Sequence, residues 1–279
     1  MDVKKCNVLA AEIRLETLKV IHSRGFGHVG GSMDLADLMA VLYGEVMKFD
    51  PKNPRWEDRD WLVLSKGHAG PVAYATFGLM GFYPMEEAYT LNQPHTKFPS
   101  HTDRKLTPGV DLTTGSLGQG CSIAVGMALG AKVQHKDCKV YTLLGDGECQ
   151  EGQIWESFMA AAHYHLDNLT IIIDNNGLQI DGNIAKVMSP YPIDKKLEAF
   201  GFHVETIDGH DFDAIASALD TAKTVKGQPS APAVPGKPKC ILAHTVKGKG
   251  VSFMENQVGW HGKAPNEEQR QQALKELED

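Results

Sequence analysis

The chain has 279 residues, 42% of them hydrophobic and 23% charged, with a net charge of -7. That is material for a sizeable core, and the acidic balance without a long basic run argues against nucleic acid or an anionic membrane as the main partner. No apolar stretch approaches the ~20 residues of a bilayer span, Met1 to Cys6 does not read as a signal peptide, and five scattered cysteines without CxxC spacing read as reduced thiols, so a cytoplasmic protein is expected.

In chain order, Leu9, Ile13, Leu18 and Ile21 recur at near-helical spacing and predict a helix over Asn7 to Ser23. The run Gly25 to Gly31 is too glycine-rich for a helix. Ser32 reads as the N-cap of a second helix carrying Leu35, Leu38, Met39 and Leu42. Apolar strand candidates follow at Trp61 to Leu64, Val140 to Leu144, Leu169 to Ile173, His203 to Ile207 and Cys240 to Ala243. Their alternation with helical patterns predicts an α/β fold with a mostly parallel sheet, and ligands at the carboxyl ends of its strands. Gly227 to Pro238 reads as a surface loop, and Asn266 to Glu278 as an exposed terminal helix or the remnant of a connection.

The chemistry concentrates after the second strand candidate. Val140 to Leu144 runs into Gly145-Asp146-Gly147-Glu148-Cys149-Gln150-Glu151-Gly152, then a helix with Ile154, Trp155, Phe158 and Met159, then Leu169 to Ile173 ending in Asp174-Asn175-Asn176-Gly177. Asp146 offers a carboxylate oxygen and Asn176 an amide oxygen. With a backbone carbonyl and phosphate oxygens they suit octahedral magnesium. Gly145 and Gly147 leave room for a phosphate near backbone N–H groups at a helix start. A lone Gly-Asp-Gly would be a common strand-ending turn. Its pairing with Asn-Asn across a helix and a strand resembles the thiamine-diphosphate fingerprint.

Further blocks resemble the transketolase family, in family order and over nearly the whole chain. They are Gly27-His28-Val29-Gly30-Gly31-Ser32, Leu64-Ser65-Lys66-Gly67-His68-Ala69, Phe98-Pro99-Ser100-His101, Leu112 to Gly120, and Trp260-His261-Gly262-Lys263. The resemblance is to the N-terminal half. It implies a three-layer thiamine-diphosphate-binding fold with helices on both faces of the sheet, and residues 1–279 as one diphosphate-binding domain.

By the same resemblance, Asp146, Asn176 and the carbonyl of Leu178 would hold Mg2+, for which Ca2+ or Mn2+ could substitute. Gly145 and His68 would meet the diphosphate, and Gly115 and Leu117 would flank the cofactor. His28 and His261 would serve the donor C3 hydroxyl and the acceptor aldehyde oxygen, with His261 also at the cofactor, and His101 would bond the two-carbon fragment. Imidazole suits such proton movement because it titrates near neutral pH. Glu151 either organises the cofactor site towards a partner or is a helix-start carboxylate favoured by the dipole. Lys247 and Lys249 read as loop cations that either approach the diphosphate or lie in solvent. His22, His135, His163, His165, His203 and His210 read as surface or satisfied core residues, and His95 and His244 stay open. Gly126 and Gly130 read mainly as tight helix packing.

The family's pyrimidine-binding and C-terminal domains find no counterpart in these blocks. The resemblance therefore implies a separate C-terminal transketolase subunit, an α2β2 heterotetramer, and sugar phosphate substrates, with the pentose phosphate pathway as the default setting. Val29 and Ser116 stand where the family commonly has proline, which loosens two loops without removing a chemical group. Alternatives are the α subunit of a 2-oxo-acid dehydrogenase, a 1-deoxyxylulose-phosphate synthase, or a non-catalytic cofactor-binding subunit.

Overall fold

The computed structural model describes residues 2–23, 25, 27–220 and 235–278. Helix α1 (Val3–His22) opens the chain, and the Asp2 carboxylate caps it by accepting from the Lys5 N–H. Two short helices follow, α2 (Gly30–Met33) and α3 (Ala36–Val41), and a π turn over Leu42–Val46 ends the second. Next come β1 (Trp61–Leu64), α4 (Gly70–Leu79), α5 (Met85–Ala88), α6 (Gln119–Val133), β2 (Val140–Gly145), α7 (Gly152–His163) and β3 (Leu169–Asn175). A two-stranded hairpin of β4 (Leu178–Gln179) and β5 (Gly182–Asn183) leads to α8 (Ile184–Val187) and α9 (Ile193–Phe200). The described elements end with β6 (His203–Asp208), α10 (Phe212–Asp220), β7 (Lys239–His244) and α11 (Glu267–Glu278).

All five expected strands form one sheet in the order β1-β2-β3-β7-β6, and every pairing is parallel. The apolar runs of β1, β2, β3 and β7 are near-continuous because those strands are buried on both faces, whereas the edge strand β6 has no buried residue. On one face, Leu62, Leu64, Tyr141, Leu143, Ile172 and Ile241 pack among residues of α1, α3, α4 and α10. On the other, Val63, Val140, Ile171, Ile173, Cys240 and Leu242 pack among residues of α6, α7 and α9. The three-layer α/β arrangement expected from the sequence is therefore present. All five cysteines are free and buried. Among the described residues, no helix is long and apolar enough to cross a membrane.

Three local readings need correction. Gly30 and Gly31 do enter a helix, and Ser32 lies inside it rather than capping the next one. The Ser32 hydroxyl donates to the His28 carbonyl at 2.7 Å. Tertiary crowding imposes this short helix on a sequence of poor propensity. A Cβ on Gly30 would stand 2.9 Å from the Trp260 carbonyl oxygen and 3.1 Å from Lys247 Cγ. Secondly, α11 is docked along one face, with Ala273 buried and Leu274 and Leu277 packed against a cluster that includes Leu18, Ile21 and Trp260. Thirdly, a Cβ on Gly126 or Gly130 would meet nothing within 4 Å, so neither glycine is required by packing within this chain. Of the two alternatives left open for Lys247, its 2% exposure rules out the solvent-facing one. Lys249 is half-exposed beside Glu255 at 3.6 Å. Of the stretch read as a surface loop, residues 227–234 lie outside the described residues, and Pro235 and Gly236 form a turn.

Candidate cofactor site

The carboxyl ends of the four strands β1, β2, β3 and β7 converge on one cavity of ≈ 340 Å³. Strand β1 delivers Lys66 and His68, β2 delivers Gly145 and Asp146, and β3 delivers Asn176. Lys247 arrives from the segment after β7. His28, His101, Gly115, Leu117, Glu151, Leu178 and His261 also line the cavity. Every residue expected from the sequence to touch cofactor, metal or substrate is thus gathered at one place. A groove of ≈ 580 Å³ beside β1 shows no such convergence. Of its cations, Arg59 is paired with Asp111, Lys136 with Glu57, and Arg55 donates to backbone carbonyls.

The four histidines surround one another. The His28 ring lies 5.1 Å from His68, 5.5 Å from His261 and 6.0 Å from His101, centroid to centroid, and His68 lies 5.3 Å from His261. Burial lowers the pKa of all four. For His68 the Lys66 ammonium adds to this, and burial with the nearby Lys247 brings His261 down to about 3. The imidazoles are neutral at physiological pH. His261 Nδ1 is buried without a hydrogen-bond partner. Of the histidines left open, His95 is exposed outside the cavity, and His244 Nδ1 bonds the Asn175 amide at 3.1 Å.

The rest of the lining is charged. Lys66 is buried in an ion pair with Asp174 and lies 3.6 Å from Asp34. Burial opposes its charge, but the two carboxylates outweigh that and raise its pKa. Asp174 also accepts from the Thr245 hydroxyl. The Asn176 amide nitrogen donates to Asp34 at 3.0 Å and to Asp174 at 3.3 Å, and this fixes which end of the amide is oxygen. The oxygen accepts from the Leu178 N–H at 2.9 Å. Asp146 accepts from the N–H groups of Gly147 and Gly177 at 2.8 and 2.7 Å. Burial and the charge of Asp174 push its pKa up to about 6.

The residues present fit magnesium and a diphosphate. Asp146 and Asn176 supply hard oxygens, two lysines supply positive charge, and a Cβ on Gly145 would find its nearest neighbour only at 3.9 Å. Among the described residues no three His, Cys, Asp or Glu side chains form a metal site by themselves. That suits an ion completed by amide, carbonyl and phosphate oxygens.

Sequence reasoning missed Asp34, Lys66, Asp174 and Glu148. The Glu148 carboxylate is buried and joins three loops, accepting from the Ser65 hydroxyl at 2.5 Å, the Gly118 N–H at 2.8 Å and the Gly145 N–H at 3.2 Å. Glu151 is exposed at the rim, at the N-cap position of α7, with no side-chain capping bond.

A parallel sheet with an aspartate turn, a paired asparagine and converging lysines at its carboxyl edge defines a diphosphate-binding α/β protein. The family model for the transketolase thiamine diphosphate binding domain matches residues 6–277, and the chain belongs to that family. It is similar to a 6-deoxy-6-sulfo-D-fructose transketolase subunit of a Clostridium species, 48% identical over 95% of this chain and 94% of the relative. It is also similar to an apulose-4-phosphate transketolase subunit of Actinobacillus succinogenes, 40% identical over 91% of this chain and 88% of that one. The solved transketolase of Campylobacter jejuni superposes with a TM-score of 0.91 at 34% identity, covering 100% of this chain and 43% of that one. The chain thus spans about two-fifths of the solved transketolase it matches.

Proposed function

We propose that this chain is the diphosphate-binding subunit of a two-component transketolase, and that it transfers a two-carbon ketol unit between sugars together with a C-terminal subunit. Residues 1–279 would form a single domain, with the pyrimidine-binding and C-terminal domains on the partner in an α2β2 assembly. The names of the two relatives above, both subunits of near-equal length, support this reading. The carrying observation is the meeting of four neutral imidazoles with Asp146, Asn176 and two buried lysines in one cavity.

When bound, thiamine diphosphate supplies the nucleophilic carbon that takes up and passes on the two-carbon unit. In this reading Asp146, Asn176 and the Leu178 carbonyl hold Mg2+. His68, Lys247 and the Gly145 turn meet the diphosphate, while Gly115 and Leu117 flank the ring that carries the reacting carbon. His28 and His261, neutral and close together, accept or return a proton at the donor C3 hydroxyl and the acceptor aldehyde oxygen. His101 bonds the hydroxyl of the retained fragment.

The substrate pair is the finer part of the proposal: a ketose with an anionic far end, phosphate or sulfonate, and an aldose phosphate. The test is ketol transfer to ribose 5-phosphate, with magnesium and thiamine diphosphate, by the chain with and without its partner. Xylulose 5-phosphate and 6-deoxy-6-sulfofructose serve as alternative donors. Transfer only in the mixture is expected. Transfer by the chain alone would end the two-component reading, and failure with both donors in a verified complex would end the substrate assignment.

A further inference from the structure

His210 is one of the lone histidines, outside the cavity, yet both its ring nitrogens are committed. Nε2 accepts from the Val246 N–H at 2.8 Å. It therefore carries no proton, and Nδ1 is the N–H, donating to Asp37 at 2.7 Å. Arg14 grips Asp37 from the other side, with Nη1 at 2.9 Å from one carboxylate oxygen and Nη2 on the other. Arg14 and Asp37 are buried at 9% and 3% exposure, deep enough for a paired carboxylate to hold its geometry. The chain of contacts runs from α1 through α3 and the turn after β6 to the segment after β7.

It ends on the residue before Lys247. From there the turn is fixed at further points. The Gly248 N–H donates to the Gly30 carbonyl at 3.1 Å, and the Asn256 N–H donates to the Lys247 carbonyl at 2.9 Å. The Lys247 stem passes the bare Cα of Gly30, where a Cβ would crowd it at 3.1 Å. The Lys247 side chain lines the cavity near Lys66 and the carboxylates of Asp34, Asp174 and Asp146, and so long and flexible a side chain needs a fixed backbone and a guided stem to hold that place.

We propose that Arg14, Asp37 and His210 form a buried positioning relay that sets the Val246–Lys247 turn and so aims the Lys247 ammonium at the diphosphate end of the cavity. The inference rests on the cofactor reading above, and the test separates the two. Binding of thiamine diphosphate with Mg2+ is measured by calorimetry on the full chain, alone and with its partner subunit, for Lys247→Met, His210→Phe, His210→Gln and the Lys247→Met/His210→Phe pair.

Lys247→Met is expected to weaken binding at least about tenfold, as for loss of a charge-assisted bond. His210→Phe is expected to weaken it about fivefold, and His210→Gln, whose amide oxygen can still accept from Val246, to recover most of that. The double variant should bind no more weakly than Lys247→Met, because the histidine acts through the lysine. Losses that multiply in the double variant, or wild-type binding by His210→Phe, would overturn the relay. Wild-type binding by Lys247→Met would instead overturn the placement of Lys247 at the diphosphate. Asp37→Asn, close in shape, should weaken binding in the same direction and carries the test if His210→Phe does not fold; unchanged binding there would likewise overturn the relay.

Discussion

The two walls of the cavity solve opposite electrostatic problems. One holds fixed charge, with Lys66 locked between Asp174 and Asp34, Asn176 oriented by both carboxylates, and Asp146 bridged to two backbone amides. The other holds four imidazoles that burial keeps neutral, one of them with an unpaired buried nitrogen. The charged groups are held in place by one another, whereas the imidazoles carry no charge, so the two sets should respond differently to loss of a neighbour. They meet in the segment after β1, which carries both Lys66 and His68.

Breaking the charged wall should have the largest effect. Lys66→Met leaves Asp34 and Asp174 buried without their cation, and a loss of about 3–5 kcal/mol is expected in chemical denaturation. Near-wild-type stability would show that the wall is not charge-locked. Asp146→Asn should leave the fold intact and weaken magnesium-dependent cofactor binding by about 100-fold or more, since loss of groups that only support metal ligands already costs up to that much. Calorimetry with and without Mg2+ reads this directly. On the other wall, His28→Asn should lower kcat by about 100-fold and leave cofactor affinity nearly unchanged. An affinity loss as large as the rate loss would erase the division between the walls.

The smallest effect is a slope. His68 is held neutral well below its ordinary 6.5 by burial and then by Lys66, so the unfolded chain binds the extra proton. Its contribution to stability is complete above pH about 6.5 and is lost as pH falls below that. His68→Gln should reduce the acid-side slope of stability by up to about 1.4 kcal/mol per pH unit. An unchanged slope would mean that His68 is already charged in the folded chain.

Each wall was legible in part. His28, His68, His101 and His261 sit in glycine- or turn-rich blocks that resemble those of transketolases, and the Gly-Asp-Gly turn paired with Asn176 resembles the thiamine-diphosphate fingerprint. Strands β1, β2, β3 and β7 were legible because burial on both faces leaves near-continuous apolar runs, whereas β6 is an edge strand with no buried residue and with Glu205 and Thr206 inside it. Lys66 and Asp174 gave no such signal. They are 108 positions apart, and a charged residue at a strand end looks the same in sequence whether it is solvated or buried in a pair. Lys66 stands two residues before His68 in a block whose histidine drew the attention. Gly30 and Gly31 misled for the reverse reason: local propensity opposed a helix that contact with Lys247 and Trp260 imposes.

The strand order also governs when the site can exist during synthesis. Central strand β3 is flanked by β2 and by β7, which is made after β1, β2 and β3. Until β7 arrives, β3 has one bare edge, and the segment bearing Thr245 and Lys247 is missing from the cavity. Lys66, Asp146 and Asn176 are made before Thr245, one of the three hydrogen-bond partners of Asp174. Non-local parallel pairing of this kind is slow to form. Until that pairing forms, β3 presents an open edge of the kind that favours aggregation.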